Sequence, residues 1–395
     1  MKSFVTLLCL SGALAGQAQT PTDVQSDARP QTKTIQSTVR PIAESVAEPD
    51  SDAQSVDPAT VGELSTRVEA LERKTSAWDA ILAHLPRISG YIQLRYLWDD
   101  ADRSSFSVHR ARFMLKGDIA KQIDYCLQVE FASKVQIVDA FVQYKPFRQL
   151  NVKAGQYKIP FSIENTEYAP LKFEFIDYPM ALRKMMGFNE VVGGETLSAT
   201  GRDMGLTLYG GFGKRDDHDL VRYDLGVFNG SGINKRDDNR SKDIVARLSI
   251  HPVAGLTLSG SYYWGEYGKA YLKRQRYAAG VCYDRGPVVV RSEWVGGKTG
   301  IVATETAPAN DLNSDGWYAM VGWRATRSLV PVARYESFYA NSDVRSDTRQ
   351  TNYTVGLSWQ PLKQLRCQLN YTYEDHAAPN ADDKNVVALM LTGVF

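Results

Sequence analysis

From Ile88 to the end of the chain, apolar and polar side chains alternate at a period of two, in runs of about ten residues. Gly90, Ile92, Leu94, Tyr96 and Trp98 share one face of the first run, opposite Tyr91, Gln93, Arg95 and Asp99. Ile123, Tyr125, Leu127, Val129 and Phe131 likewise oppose Gln122, Asp124, Gln128 and Glu130. Successive side chains of a strand point to opposite faces, so each run is a strand with one apolar and one polar side. About ten residues is also the length at which a tilted strand crosses a bilayer. The runs fall at 88–98, 106–118, 122–132, 136–145, 149–158, 201–211, 219–229, 243–252, 255–266, 274–285, 287–297, 314–326, 329–340, 350–361, 363–374 and 384–395. Sixteen is an even number, as in single-chain bacterial transmembrane barrels.

The links between runs support a closed barrel. Some are short and carry Gly, Pro or a charged pair: AKQ, KPFRQ, HPVAG, RGP, TRS, QPLKQ. Others are longer and polar: DDADRSS, GKRDDHD, GSGINKRDDNRSK, GEYGKAYLK, the stretch from Gly297 to Asp315, ANSDVRSDTR and EDHAAPNADD. Short turns at one end and long loops at the other are the outer-membrane arrangement. The expected fold is therefore all-β, a sixteen-stranded antiparallel transmembrane barrel over residues 87–395.

The two faces have different neighbours. The apolar faces end in Tyr96, Trp98, Tyr262, Trp264, Trp294, Trp317, Trp323, Tyr353, Trp359, Tyr371 and Tyr373, the residue types that favour the headgroup level of a lipid bilayer. The opposite faces carry Arg95, Arg110, Arg112, Lys116, Lys153, Arg222, Arg247, Arg276, Arg291, Arg324, Arg334 and Arg366. With them lie the acids Asp124, Glu130, Asp139, Asp224, Asp284, Glu293, Glu336 and Glu374. A basic residue on the lipid side at midplane costs about 2–4 kcal/mol, so these charges face water. A sixteen-stranded barrel is too wide for side chains to fill, which predicts a water-filled pore.

One link breaks the pattern. More than forty residues separate Lys158 from Arg202, and many are apolar. Folding inward against the barrel wall would bury them and narrow the pore, whereas an outward lid or plug is the alternative. Asp177 to Met186 reads as a short helix, with Pro179 early and Arg183 and Lys184 before Gly187.

The N-terminal part is different. Residues 1–18 read as a cleaved export signal, with Lys2 first and an apolar run from Phe4 to Leu10. Residues 19–60 have the polar, Pro-rich composition of a disordered linker. Over 61–86, Val61, Leu64, Val68, Leu71, Thr75, Trp78, Leu82 and Leu85 make a heptad seam. The seam reads either as a coiled coil joining protomers or as one amphipathic helix lying on the barrel or in its mouth.

Three cysteines after the signal, Cys126, Cys282 and Cys367, are an odd and widely spaced set, read as packed side chains. None of His84, His109, His218, His251 or His376 has a serine in a nucleophile context, and no HExxH, GxSxG or CxxC occurs. His109 falls early in a strand, on the lipid or rim face. The sequence thus predicts no enzyme, no cofactor and no metal centre. The net charge of +1 gives no signal for a nucleic-acid partner.

FSVHRARFMLKGDI, DYCLQVEF, VDAFVQYKP and LNVKAGQYKIPFSIEN together resemble the phosphate-selective porin O and P family. The shared features are a basic second strand, a strand opening with Asp-Ala-Phe, and a G-Q-[FY]-K-x-P-F-x-x-E segment entering the third loop. The resemblance runs from about residue 88 to the end and is clearest between 106 and 165. It implies a homotrimeric sixteen-stranded porin in the outer membrane of a Gram-negative bacterium, passing small hydrophilic solutes or anions. Arg110 and Arg112 match the basic pair, with His109 where a further Arg often occurs; Lys158, Pro160, Phe161 and Glu164 match the loop entry.

Acidic residues on the inferred lumen face are nearly as numerous as basic ones. Arg95, Arg110, Arg112 and Lys116 read either as a local anion-attracting wall or as charges paired with Asp99, Glu130 or loop carboxylates. A carbohydrate-binding or adhesive surface barrel is the other functional class, since Tyr-rich loops stack sugars. The last run, VVALMLTGVF, reads as the closing strand, and its final Phe395 resembles the signal recognised by the barrel-insertion machinery.

Overall fold

The computed structural model describes residues 62, 63, 66–69, 85–101, 103–132, 134–168, 170–186, 201–215, 218–301, 310–378 and 381–395. The chain divides into Met1–Glu69 and Ala70–Phe395. In the first unit the described residues are helical, and the Thr66 hydroxyl donates to the Gly62 carbonyl at 2.9 Å. The export signal, the linker and most of the heptad seam lie outside the described residues.

The second unit is a barrel. Its strands are β1 (Arg87–Asp99), β2 (Arg103–Ala120), β3 (Ile123–Glu130), β4 (Gln136–Phe147), β5 (Leu150–Lys158), β6 (Arg202–Arg215), β7 (His218–Phe228) and β8 (Asp243–Ile250). They continue as β9 (Leu256–Tyr267), β10 (Leu272–Arg285), β11 (Val288–Ile301), β12 (Asn310–Trp323), β13 (Leu329–Tyr339), β14 (Arg349–Leu362), β15 (Leu365–His376) and β16 (Lys384–Val394). Each strand pairs antiparallel with its sequence neighbours, and β1 pairs with β16, which closes the sheet. Closure satisfies every ladder edge, the condition for a β-structure in lipid. At the seam the Gly90 and Phe395 backbones exchange two hydrogen bonds, at 2.9 and 3.0 Å.

The alternation read from the sequence becomes an outside and an inside. Ile92, Leu94, Leu206, Leu248, Val355 and Leu391 stand exposed, while Gln93, Arg247, Ser259, Arg291, Thr354 and Gln368, of the other parity, are buried. The exposed set forms the apolar belt that a bilayer covers. Tight hairpins close one end. Between Arg285 and Val288 only two residues turn the chain, and Gly286 takes φ +66°, a conformation that costs Gly little.

Several links are shorter than the sequence reading, two of them markedly. GKRDDHD is mostly strand: β6 runs to Arg215 and β7 starts at His218, so only two residues of it lie between the strands. Likewise, the Gly297–Asp315 stretch is mostly strand, since β11 reaches Ile301 and β12 starts at Asn310. Polar, glycine-rich strand ends above the apolar belt look like loop in composition alone.

Candidate functional site

The long link after β5 holds two short helices, α1 (Ile163–Glu167) and α2 (Met180–Met185). Ser162 starts α1, its hydroxyl accepting from the Glu164 N–H at 3.2 Å. The helix expected over Asp177–Met186 is shorter, because Pro179 stays extended at φ −54° and ψ 141° and only Met180 onward is helical.

Inward-facing side chains from five strands grip this segment. Glu293 of β11 accepts from the Ser162 hydroxyl at 2.6 Å and from the Ile163 N–H at 2.9 Å. Arg291, two residues earlier and almost fully buried, pairs with Glu164 at 2.8 Å and with Glu174. Arg276 of β10 donates to the Met185 carbonyl at 2.8 Å, and Arg247 of β8 pairs with Glu167. On β13, Glu336 accepts the Met180 N–H while Arg334 donates to the Asp177 carbonyl at 2.9 Å. On β15, Arg366 donates to the carbonyls of Pro170, Leu171 and Phe173, and Gln368 to those of Phe173 and Glu174. Buried irregular backbone needs a partner for each polar group, and here the wall supplies many of them. Between these bonds Phe161, Phe173, Met180 and Leu182 pack with Phe228, Val245, Tyr263 and Phe338.

All of these contacts come from β7 to β15. On the β1–β7 side a cavity of about 490 Å³ remains open, reaching Gly90 and Val394 at the short-turn end. Among its charged residues, Asp139 is bonded by Arg202 at 2.8 and 3.2 Å, and Asp224 and Glu167 both pair with Arg247. Arg112 pairs with Glu130 at 2.8 Å. Lys116, Lys153, Lys158, Lys172 and Arg222 also line the cavity, and among the described residues no carboxylate lies within ion-pair distance of them. The acids of this cavity are thus matched and, among the described residues, five of its cations are not.

A smaller cavity of about 150 Å³ lies at the long-loop side, where Arg95 meets Asp177 at 3.3 Å beside Arg183 and Arg334. Burial acts to raise the Asp177 carboxyl, but the Arg95 and Arg183 charges prevail and hold it down at about 2.

The residues singled out in the sequence separate into groups. Arg95, Arg112, Arg247, Arg291 and Arg334 are paired with carboxylates. Arg112 takes Glu130 and Arg95 takes a loop carboxylate, whereas Asp99 is bonded to Arg103. Arg110 donates to Gln93 at 2.8 Å, and Arg324 pairs with Asp284 near the short-turn end. Lys158 donates to the Tyr168 carbonyl at 2.8 Å, Pro160 and Phe161 are buried, Lys184 donates to Gln350, and the Arg183 Nε is buried without an acceptor.

His109 does not sit on the lipid or rim face. The β1–β2 register shifts there, with Gln93 opposite Arg110 and Leu94 opposite Val108, so His109 is the extra residue of a bulge and lies close to Arg95, Arg110 and Asp177. The sequence also gave no hint that Glu293 and Glu336 are acceptors for the loop. Their signal was present as acids at inward parity in mid-strand, but not their partner.

A closed sixteen-stranded antiparallel barrel with an apolar outer belt and a charged interior is the architecture of an outer-membrane porin. The chain belongs to the phosphate-selective porin O and P family, whose model matches residues 90–395. The structure is similar to OmpT of Vibrio cholerae in a trimer form, at 10% identity and a TM-score of 0.56, covering 78% of this chain and 99% of that one. It is also similar to the outer-membrane channel DcaP of Acinetobacter baumannii, at 12% identity and a TM-score of 0.55, covering 78% and 97%. Salmonella typhi OmpF in complex with daunomycin matches at 12% identity and a TM-score of 0.53, covering 79% and 98%. No curated protein matches the chain.

Proposed function

We propose that the protein is a passive diffusion channel for small hydrophilic solutes, with a preference for anions. The segment from Ile159 to Met186 acts as a constriction loop held inside the barrel, with the route left open along β1–β7. The observation that carries the anion preference is the imbalance in the cavity of about 490 Å³, where Lys116, Lys153, Lys158 and Arg222 have no carboxylate partner. Unmatched positive charge in a narrow, low-dielectric passage raises the local concentration of anions. The matched pairs, such as Arg291 with Glu164 and Arg202 with Asp139, serve the wall and the loop instead.

A homotrimer is the expected assembly, a reading supported by the trimer form of the OmpT it resembles in fold. Export through a cleaved signal and insertion by the barrel machinery are parts of the same proposal. Reconstitution into planar bilayers tests it. Stepwise currents whose reversal potential in a KCl gradient lies toward chloride support the channel and its selectivity. A folded barrel that never conducts would favour the adhesive or carbohydrate-binding barrel.

A further inference from the structure

We infer that the cavity between β1–β7 and the loop is a subsite for a small organic anion with a flat apolar body, such as an aromatic carboxylate, rather than for inorganic phosphate. The inference deepens the channel reading and rests on it. Its ground is the surroundings of Lys153.

The Lys153 ammonium lies 5.0, 5.2 and 5.4 Å from the ring centroids of Phe141, Tyr157 and Tyr209. These three rings come from β4, β5 and β6, so three adjacent strands build one aromatic corner around one cation. Phe141 and Tyr157 meet edge to face, with centroids 5.8 Å apart and planes at 78°. Both tyrosine hydroxyls are already engaged: Tyr157 donates to Thr207 at 2.8 Å, and Tyr209 to Gln143 at 3.0 Å. The corner therefore turns ring surface, not free hydroxyl, toward its cation. Arg112 repeats the arrangement on a smaller scale, with its guanidinium 5.9 Å from the Tyr91 ring.

Such a wall suits some anions and not others. Phosphate is strongly hydrated and needs several polar donors converging on its oxygens to replace that water. Ring faces and edges offer none. An aromatic carboxylate divides its needs as the corner does. Its charged end meets the Lys153 ammonium, which has no carboxylate of its own, and its ring stacks edge or face on Phe141 and Tyr209. Met114, Pro160 and Leu171 extend the apolar lining of the same cavity. Lys116 and Arg222, also unmatched, supply the wider attraction that draws anions in.

The full-length protein in planar bilayers, carrying a chloride current, tests the inference. Benzoate, acetate and inorganic phosphate are added at equal concentrations, and the concentration that halves the current is read for each. Benzoate is expected to act at the lowest concentration. Phe141→Leu and Tyr209→Leu each weaken the benzoate effect about five- to tenfold, the size of one lost aromatic contact, while acetate and phosphate change little. Lys153→Met weakens all three. The control for folding is an unchanged heat-modified gel shift and an unchanged KCl conductance in the two leucine variants. Phosphate acting at a lower concentration than benzoate, or leucine variants that leave benzoate unaffected, would overturn the subsite while leaving the channel intact. A barrel that passes no chloride at all overturns the channel reading itself.

Discussion

The Glu293 carboxylate accepts the backbone N–H of Ile163 at 2.9 Å, although 130 residues separate them. A strand side chain thus terminates a loop backbone in the middle of the barrel, and its second oxygen takes the Ser162 hydroxyl. Glu293→Ala leaves both donors buried without an acceptor, at about 1–3 kcal/mol for each. The expected result is a folded barrel with a noisier and larger single-channel current. Current traces identical to those of the unaltered protein would show that Glu293 does not hold the loop.

Arg291 is bonded to two loop glutamates, and its side chain and that of Glu164 are almost fully buried. Arg291→Met leaves Glu164 charged in a dry site, and breaking such a pair from one side costs about 3–5 kcal/mol. The double variant Arg291→Met with Glu164→Gln removes both charges and recovers much of the loss. Proteolysis of the loop in folded protein measures this: the single variant is cut faster, and the double variant is intermediate.

Asp177 supplies a pH dependence. Its carboxyl is held at about 2 by Arg95 and Arg183 against the opposing effect of burial. A depressed folded value means that the contribution is complete above the unfolded value of about 4 and is lost as pH falls toward 2. Channel noise and loop proteolysis should therefore rise between pH 4 and pH 2 and stay flat between pH 5 and pH 8 as far as this group is concerned. Asp177→Asn, lacking the titration, should show the acid-type behaviour already at pH 7. Equal pH profiles for the two proteins would remove Asp177 from the account.

At the seam, a Cβ on Gly90 would sit 2.4 Å from the Phe395 ring and 2.5 Å from the Arg112 carbonyl oxygen. Gly90→Ala therefore strains the contact of β1 with both β2 and β16, at about 1–3 kcal/mol. The variant should lose its compact, heat-resistant form at a lower temperature on a gel. An unchanged transition would mean that the seam yields without cost.

Much of this was legible in the alternation itself. Parity gave the faces of Gln93, Arg291 and Arg366 because a strand has a fixed period and a bilayer punishes the wrong choice. It failed at His109, where one bulged residue shifts the register and the face with it. It failed again at GKRDDHD, where a strand extends beyond the apolar belt into a charged stretch. The site was harder to read. That Arg291, Glu293, Glu336 and Arg366 face inward follows from spacing, but their loop partners lie 117 or more residues away in a link with no period. The cation with three aromatic neighbours was likewise hidden, since Phe141 and Tyr209 come together only through strand register.

The central claim is that the cavity on the β1–β7 side conducts and that its unmatched cations set the preference. The direct measurement is the reversal potential in a KCl gradient for the full chain and for a variant with Lys116→Glu and Arg222→Glu. The account predicts stepwise conductance with a reversal potential displaced toward chloride, moving toward potassium in the variant. A potential at the potassium side in the unaltered protein, or one the two charge reversals leave in place, would contradict it.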